Sequence, residues 1–228
     1  MKEAWTLKTI AYIRTDFPAK FGIPRQSGLA DTKGKIFFEP EYRSIDALRE
    51  LEQYSHLWLI WGFSECEREE WKATVRPPRL GGNKRVGVFA TRSPFRPNPI
   101  GLSCVGLEKV EMDEEKGPVI YVSGVDMMDM TPIYDIKPYL PYVDSHPEAS
   151  GGFAEENKDY KLEVEFPEEL LMRVPEEKRE TLVQILSQDI RPSYQNDSRR
   201  IYGMEFSGLE VKFNVCEKKV IVKEVFEL

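Results

Sequence analysis

LSCVGLEKVEMDEEKGPVIYVSGV, residues 102–125, contains two apolar segments that are typical of β-strands, over residues 102–110 and 119–125. The polar residues between them, 113–117, end in a glycine and indicate a turn. Two strands joined so closely run antiparallel, because a parallel pair needs a crossover of about a dozen residues or more. The segment therefore predicts a hairpin in an antiparallel sheet.

Further strand signals lie upstream of this hairpin. Residues 7–14 alternate between apolar and polar, and residues 56–63, HLWLIWGF, indicate a buried central strand. Shorter strands are predicted over residues 36–38 and 85–90, and a helix over residues 45–54, capped by Ser44. The proline-broken residues 126–142 are expected to be irregular. Strands that follow one another with so little helix indicate an antiparallel barrel rather than a doubly wound sheet.

A second, smaller domain is predicted after Gly151 and Gly152, so that the domains span residues 1–150 and 151–228. In the second domain a strand over residues 160–166 precedes a helix that begins at Pro175 and ends near residue 188. Three more strands follow, over residues 201–206, 209–216 and 220–226. The predicted fold is mostly β, with a β-barrel core and a small α+β C-terminal domain.

The composition narrows the class of protein. With 228 residues, 41% hydrophobic and 31% charged, the chain is typical of a soluble folded protein. It has no apolar run near the roughly 20 residues that span a bilayer, and its first residues lack a signal-peptide layout. Three cysteines without a Cys-x-x-Cys pair exclude a disulfide framework, and with only two histidines no metal site is predicted. These features predict a cytoplasmic protein.

Several common catalytic signatures are missing. No strand is followed by Gly-x-Gly-x-x-Gly, and neither a Walker A sequence nor a Gly-x-Ser-x-Gly elbow occurs. His56 begins an aromatic strand and Cys104 lies in an apolar one, so both are interpreted as structural. The sequence therefore argues against a Rossmann nucleotide site, a P-loop enzyme and a serine hydrolase.

Positive charge is concentrated in one window. Residues 72–96 contain seven cations and no carboxylate, in a chain whose net charge is −7. Such a window indicates an anionic partner, although a solvated face that balances acidic stretches is the alternative for any charge run.

The end of this window contains a proline-rich loop. In ATRSPFRPNPIGLS, residues 90–103, three prolines fix their own φ angles and keep the residues before them out of the helical region. The loop is therefore expected to be stiff and extended, and to hold Arg92 and Arg96 in positions suited to a carboxylate or phosphate. A rigid crossover with solvated arginines is the alternative.

Together with other segments, this loop resembles one family over essentially the whole chain, the TrmO-type tRNA methyltransferases. The segments that carry the resemblance are PRQ at residues 24–26, VRPPRLGGN at 75–83, the proline loop, DIKPY at 135–139 and QDIRPSY at 188–194. The resemblance implies a non-Rossmann β-barrel methyltransferase, a C-terminal domain that helps to hold tRNA, a homodimer, and S-adenosylmethionine as methyl donor.

By position, the resemblance implies a set of donor-binding residues. These are Pro24, Arg25, Gln26, Ser64, Glu65, Arg92, Leu102, Asp129, Met130, Thr131 and Pro132. Relatives usually have glycine where this chain has Met130, so the conformation of that loop is an open question.

The implied acceptor is N6 of N6-threonylcarbamoyladenosine beside the anticodon of tRNA. An arginine of the basic window is expected to bind the threonylcarbamoyl carboxylate, and the candidates for handling the N6 proton are Tyr134, Asp135 and Tyr139. The expected contacts to substrate and tRNA are Arg76, Arg79, Lys84, Arg85, Arg96, Lys137, Arg191, Arg199 and Arg200.

Two other classes of protein fit the same residues. A non-catalytic RNA-binding barrel would bind tRNA but not the methyl donor. A methyltransferase or sensor for a small molecule would bind the donor without salt-sensitive affinity for tRNA.

Overall fold

Six antiparallel strands close into a barrel in the N-terminal part of the chain. The computed structural model describes residues 6–66, 70–77, 84–191 and 197–228. The strands are β1 (Ala11–Thr15), β2 (Lys33–Phe38), β3 (His56–Gly62), β6 (Ile100–Asp113), β7 (Gly117–Ser123) and β8 (Thr131–Pro138). Around the barrel their order is β1-β2-β7-β6-β3-β8. A two-stranded ribbon, β4 (Thr74–Val75) and β5 (Val86–Gly87), lies between β3 and β6 in sequence. The predicted fold class is confirmed.

Every second side chain along a strand points into the barrel, and these side chains fill its interior. Leu57, Leu59 and Trp61 on β3 are buried, as are Ile13 on β1 and Ile133 on β8. Burying a side chain of this size stabilises the fold by about 1.5–3 kcal/mol. Closure leaves the sheet without an exposed edge, because β1 pairs with both β2 and β8.

Three local predictions are wrong. The strand expected over residues 85–90 is only the two-residue β5, and a 3₁₀ turn, Val88–Ala90, follows it. The segment expected to be irregular contains β8, whose two prolines, Pro132 and Pro138, lie next to its first residue and at its last. A proline costs little near a strand end, where a ladder hydrogen bond is not needed. The helix expected over residues 45–54 is replaced by two 3₁₀ turns, Ile45–Leu48 and Leu51–Gln53, separated by Glu50 at φ 69°. A left-handed residue at that point ends the first turn, so no α-helix continues.

The C-terminal part contains a four-stranded sheet and two helices. After α1 (Pro141–Asp144), its elements are β9 (Glu163–Glu165), α2 (Glu168–Leu171), α3 (Glu176–Ser187), β10 (Tyr202–Phe206), β11 (Leu209–Cys216) and β12 (Lys219–Glu227). The order of the strands in the sheet is β10-β11-β12-β9. The helix α3 buries Leu182, Ile185 and Leu186 against this sheet, as its apolar stripe predicts. Within the described ranges, no helix is both long and apolar enough to cross a membrane.

The connection between β1 and β2, residues 16–32, packs into the C-terminal core. Phe17 and Ala30 are buried in that core rather than in the barrel. Thr181 donates to the carbonyl of Asp31 at 2.9 Å, and Arg25 Nη2 donates to the carbonyl of Asp189 at 2.7 Å. The C-terminal domain therefore holds this connection in place. The domain boundary near residue 150 stays a prediction.

Antiparallel pairing brings three connections to one end of the barrel. At that end β1, β3 and β7 finish and β2, β6 and β8 begin. Residues 16–32 and 124–130 and the described parts of the β3–β6 connection, 63–66, 70–77 and 84–99, therefore meet there, although they are far apart in sequence.

Candidate active site

The three connections enclose a cavity of about 540 Å³ at this end of the barrel. The first connection contributes Pro24, Arg25 and Gln26 to its wall. The barrel contributes Trp61 and Gly101, which face each other across β3 and β6. The remaining parts of the wall come from the other two connections and include Ser64, Glu65, Arg92, Asp126 and Met128.

The proline loop is braced from within. Arg96 Nη1 donates to the carbonyl of Thr91 at 3.0 Å, and Thr91 Oγ1 donates to the carbonyl of Val88 at 2.8 Å. The neighbouring Arg92 instead reaches out of the loop, and its Nη1 donates to Gln26 Oε1 at 2.6 Å. The loop therefore presents Arg92 to the cavity, while part of the Arg96 guanidinium is used to hold the loop's shape.

A hydrogen-bonded chain forms the floor of the cavity. The indole Nε1 of Trp61 donates to Ser103 Oγ at 2.9 Å, and Ser103 Oγ donates to Asp126 Oδ1 at 2.6 Å. Burial raises the pKa of the Asp126 carboxyl above its ordinary 3.8, against the effects of hydrogen bonds from Ser103 and the Ser27 backbone and of the Arg92 charge. The cavity therefore contains a carboxylate whose ionised form gains from a cationic ligand.

Asp126 is absent from the sequence-based set of site residues. Asp129, which that set includes, lies three residues further on and does not line the cavity. Its Oδ1 accepts from Arg14 Nε at 2.9 Å and from the Thr15 backbone N–H at 2.8 Å. The two acids look alike in sequence, and only the tertiary structure separates the one that faces the cavity.

Eight of the eleven expected donor-binding residues line the cavity. They are Pro24, Arg25, Gln26, Ser64, Glu65, Arg92, Leu102 and Thr131. The other three, Asp129, Met130 and Pro132, do not. Met130 is half exposed with φ 60°, a left-handed conformation that glycine adopts at lower cost than methionine.

The three expected proton-handling residues lie in different places. Tyr134 covers Gly62 so closely that a Cβ on Gly62 would lie 2.2 Å from the tyrosine hydroxyl oxygen. Asp135 forms an ion pair with Lys137, at 2.8 Å. Tyr139 packs on His56, at the opposite end of β3, roughly 20 Å along the strand from Gly62. Of the three, Tyr134 is next to a residue of the cavity wall.

A larger groove of about 2090 Å³ adjoins the cavity and shares Arg92, Pro94 and Gln26 with it. Its described lining includes one carboxylate, Glu70, and eight cations: Lys20, Arg25, Lys72, Arg76, Arg85, Arg92, Arg96 and Arg191.

Some of the expected tRNA contacts line this groove and others do not. Arg76, Arg85, Arg96 and Arg191 line the groove, whereas Lys84, Lys137, Arg199 and Arg200 do not. Arg79 lies outside the described residues. Arg191 is already paired with Asp189 through two hydrogen bonds of 2.7 and 2.9 Å, so its charge is partly neutralised within the domain.

Gly101 offers a test of the cavity's construction. A Cβ on Gly101 would lie 2.2 Å from Cε2 of Trp61, whose ring is held by Phe63 with centroids 4.3 Å apart. Gly101→Ala is therefore expected to displace Trp61 and to lower the free energy of unfolding by about 1–3 kcal/mol. Thermal unfolding measures the loss, with Gly87→Ala as the control, since a Cβ on Gly87 meets nothing within 4 Å. Equal melting temperatures for the two variants would contradict the close contact.

Comparison with known proteins gives consistent matches over the chain. The model of the tRNA-methyltransferase O N-terminal domain matches residues 12–145, and that of the TrmO C-terminal domain matches residues 159–228. The chain is 37% identical to the tRNA (adenine(37)-N6)-methyltransferase of Escherichia coli, over 94% of each chain. It is 39% identical to a putative S-adenosylmethionine-dependent methyltransferase of Pseudomonas aeruginosa, over 92% of each chain. The crystal structure of TrmO from P. aeruginosa superposes with a TM-score of 0.81 at 33% identity, over 100% of this chain and 99% of that chain.

Proposed function

The chain belongs to the TrmO family of tRNA methyltransferases, and we propose that its acceptor is adenosine 37 of tRNA in the form that already carries threonylcarbamoyl on N6. The enzyme uses S-adenosylmethionine to methylate that nitrogen. One observation carries the proposal: a small cavity with a buried carboxylate opens beside a groove lined by cations. A small cationic donor and a polyanionic acceptor can thus bind side by side.

The cavity fits the methyl donor in size and chemistry. Its volume lies within the range of about 300–1,000 Å³ that is usual for small-molecule sites. Arg92 supports binding of the donor's carboxylate, Asp126 supports binding of its cationic groups, and the apolar Ile23, Phe63 and Leu102 support binding of its adenine. When bound, S-adenosylmethionine supplies a methyl group that its sulfonium has already activated. The task of the protein is therefore to hold the acceptor nitrogen in line and to exclude water.

Among the three candidates for handling the proton, we place the role on Tyr134. Tyr134 does not itself line the cavity, but its hydroxyl lies beside Gly62, a residue of the cavity wall, so it can reach an N6–H group presented there through an intervening water. Tyr139 is at the far end of β3, and Asp135 is paired with Lys137. Tyr134 is thus the candidate that geometry favours.

Cations of the groove support the acceptor specificity. Arg76 and Arg85 line the groove beyond the cavity, and a guanidinium can bind the threonylcarbamoyl carboxylate through two hydrogen bonds. The other groove cations support contacts to tRNA phosphates. An acidic chain can bind a polyanion in this way because the local charge determines the local field.

Methyl transfer to two matched anticodon hairpins tests the proposed acceptor. One hairpin carries threonylcarbamoyl on adenosine 37 and the other is unmodified. Loss of one charge-assisted bidentate contact, worth about 1.5–2.5 kcal/mol, predicts that kcat/KM for the unmodified hairpin is roughly 10- to 60-fold lower. The assay measures incorporation from labelled S-adenosylmethionine and identifies the methylated nucleoside by mass spectrometry.

The outcomes separate the alternative functions. Equal incorporation into both hairpins would contradict the threonylcarbamoyl requirement. Hairpin binding without any donor binding would indicate a non-catalytic RNA-binding barrel. Donor binding with no affinity for either hairpin would indicate a small-molecule methyltransferase or sensor.

We also place the enzyme in the cytoplasm, as a homodimer. Cys66, Cys104 and Cys216 are all unpaired, which supports a reducing compartment. The homodimer rests on the family resemblance, and sedimentation velocity measures it.

A further inference from the structure

An exposed aromatic pair lies in the cation-lined groove. The side chains of Trp71 and Phe89 are 51% and 72% exposed, and their rings are 6.0 Å apart between centroids, with an angle of 31° between planes. Large aromatic side chains are normally buried, because leaving them in water forfeits about 1.5–3 kcal/mol each. Two adjacent exposed rings therefore indicate a surface that a partner covers.

The ribbon β4–β5 sets the position of the pair. Thr74 pairs with Gly87, and the Val88 backbone N–H donates to the carbonyl of Ala73 at 2.9 Å, so the two strands stay together beyond the ladder. Trp71 precedes β4 and Phe89 follows β5, which brings the two rings to the same end of the ribbon. The aromatic surface is thus built on paired backbone.

Resting on the proposed function, we infer that this Trp71–Phe89 pair is a stacking surface for an unpaired base of the anticodon loop, next to the target adenosine. Exposed rings in a groove that is also lined by cations match single-stranded RNA, which presents both flat bases and phosphates. Among the groove residues that the structure describes, cations outnumber carboxylates eight to one. The alternative occupant, a second copy of the chain, is an outcome that the measurements below distinguish.

The place of the pair also fits the chemistry. The groove shares Gln26, Arg92 and Pro94 with the donor cavity, so a base that enters the cavity leaves its neighbours in the groove. A base removed from its stack loses favourable contacts, and an aromatic side chain can replace them. The Trp71–Phe89 pair would thereby hold the loop open while the target nitrogen meets the donor.

Binding of a fluorescent anticodon hairpin, measured by anisotropy without donor, tests the inference. Trp71→Ala and Phe89→Ala are each expected to weaken the hairpin affinity about 5- to 30-fold, equivalent to about 1–2 kcal/mol. Trp71→Phe is expected to retain affinity within about threefold, since a ring remains. The matched control is Tyr142→Ala, an 86% exposed aromatic beyond the opposite end of the barrel, which is expected to bind like the wild type.

The salt dependence of hairpin binding distinguishes the loss of a stacking contact from a general disruption of the cation-lined groove. Trp71→Ala removes no charge, so the slope of log affinity against log salt is expected to stay unchanged, whereas Arg76→Ala is expected to lower it by roughly 0.7–0.9. Trp71→Ala is also expected to bind S-adenosylmethionine as the wild type does. Unchanged hairpin affinity, or a lowered slope, in Trp71→Ala would overturn the inference.

Further measurements distinguish base stacking from contact between two copies of the chain. The surface is an interface between copies, and the inference fails, if two results are found together. Trp71→Ala would change the oligomeric state in sedimentation velocity, and Trp71→Phe would bind the hairpin as weakly as Trp71→Ala does. A wild-type protein that binds no hairpin would also overturn it. If the wild type binds the hairpin but transfers no methyl group, the proposed function fails while the stacking inference is still decided by the Trp71→Ala affinity.

Discussion

Asp126→Asn is expected to weaken binding of S-adenosylmethionine by about 30- to several-thousand-fold at pH 8. The donor carries a net positive charge, and Asp126 is the carboxylate at the floor of the cavity, where burial raises its pKa. Removing one member of a buried, hydrogen-bonded charge pair costs about 2–5 kcal/mol. Isothermal titration calorimetry with the donor alone measures the loss, independently of any RNA.

The pH dependence gives a second readout of the same residue. Protonated Asp126 cannot pair with a cation, so wild-type donor affinity is expected to rise with pH through the raised pKa, whereas Asp126→Asn shows no such rise. For stability the sign is opposite. Protonated Asp126 contributes to the free energy of unfolding in full below its ordinary pKa of 3.8, and this contribution is lost as pH rises through the raised pKa. In Asp126→Asn, the free energy of unfolding is therefore expected to fall less over this pH range.

The control is Asp113→Asn, in the β6–β7 hairpin at the other end of the barrel. Backbone N–H groups of Lys116 and Glu115 hold the pKa of Asp113 below its ordinary value. The stability that Asp113 contributes is present above the ordinary pKa and is lost as pH falls through the lowered value. Donor affinity in Asp113→Asn is expected to equal that of the wild type. Equal donor affinity in Asp126→Asn would show that Asp126 does not face the donor.

Local sequence patterns predicted a barrel and most of its strands, but not which strands pair with one another around it. The β6–β7 hairpin follows from residues 102–125 alone, because alternation and a turn act between near neighbours. The strand β8 was missed because its prolines argue against a strand, and pairing with β1 and β3 overrides that local preference. Which strands meet across the barrel depends on contacts distant in sequence.

In the candidate site too, some residues could be predicted from the sequence and others could not. The segments around Gln26 and Arg92 were found as motifs, and Ser64 followed by position from the family resemblance. The structure gathers all three because they lie on connections at one end of the barrel. Asp126 has no local signature, since its significance comes from its hydrogen bond with Ser103 on β6, which is distant in sequence. Tyr139 was grouped with Tyr134 by proximity in sequence, but an extended strand carries the two apart.

Arg92→Ala is expected to lower the affinity for S-adenosylmethionine about 30- to 150-fold. In the wild type, Arg92 donates to Gln26 and its charge faces Asp126, so a guanidinium is held at the cavity rim, ready for a carboxylate. Arg92→Ala removes hydrogen bonds to the donor's carboxylate and leaves that carboxylate without a partner, which together cost about 2–3 kcal/mol of binding free energy. The dissociation constant of the donor, measured by calorimetry, gives the effect directly.

Two further variants define what Arg92 does. Arg92→Lys keeps the charge but loses the planar fork, so it is expected to recover only part of the donor affinity. Arg49→Ala, which removes an exposed arginine paired with Asp46 in the β2–β3 connection, is expected to leave donor affinity unchanged. Hairpin affinity distinguishes a role in the donor cavity from a role in the RNA groove. Because Arg92 is one of eight groove cations, Arg92→Ala is expected to weaken RNA binding far less than donor binding. A variant that binds the donor normally but loses the hairpin would instead assign Arg92 to the RNA groove, and the donor's carboxylate would then be bound elsewhere in the cavity.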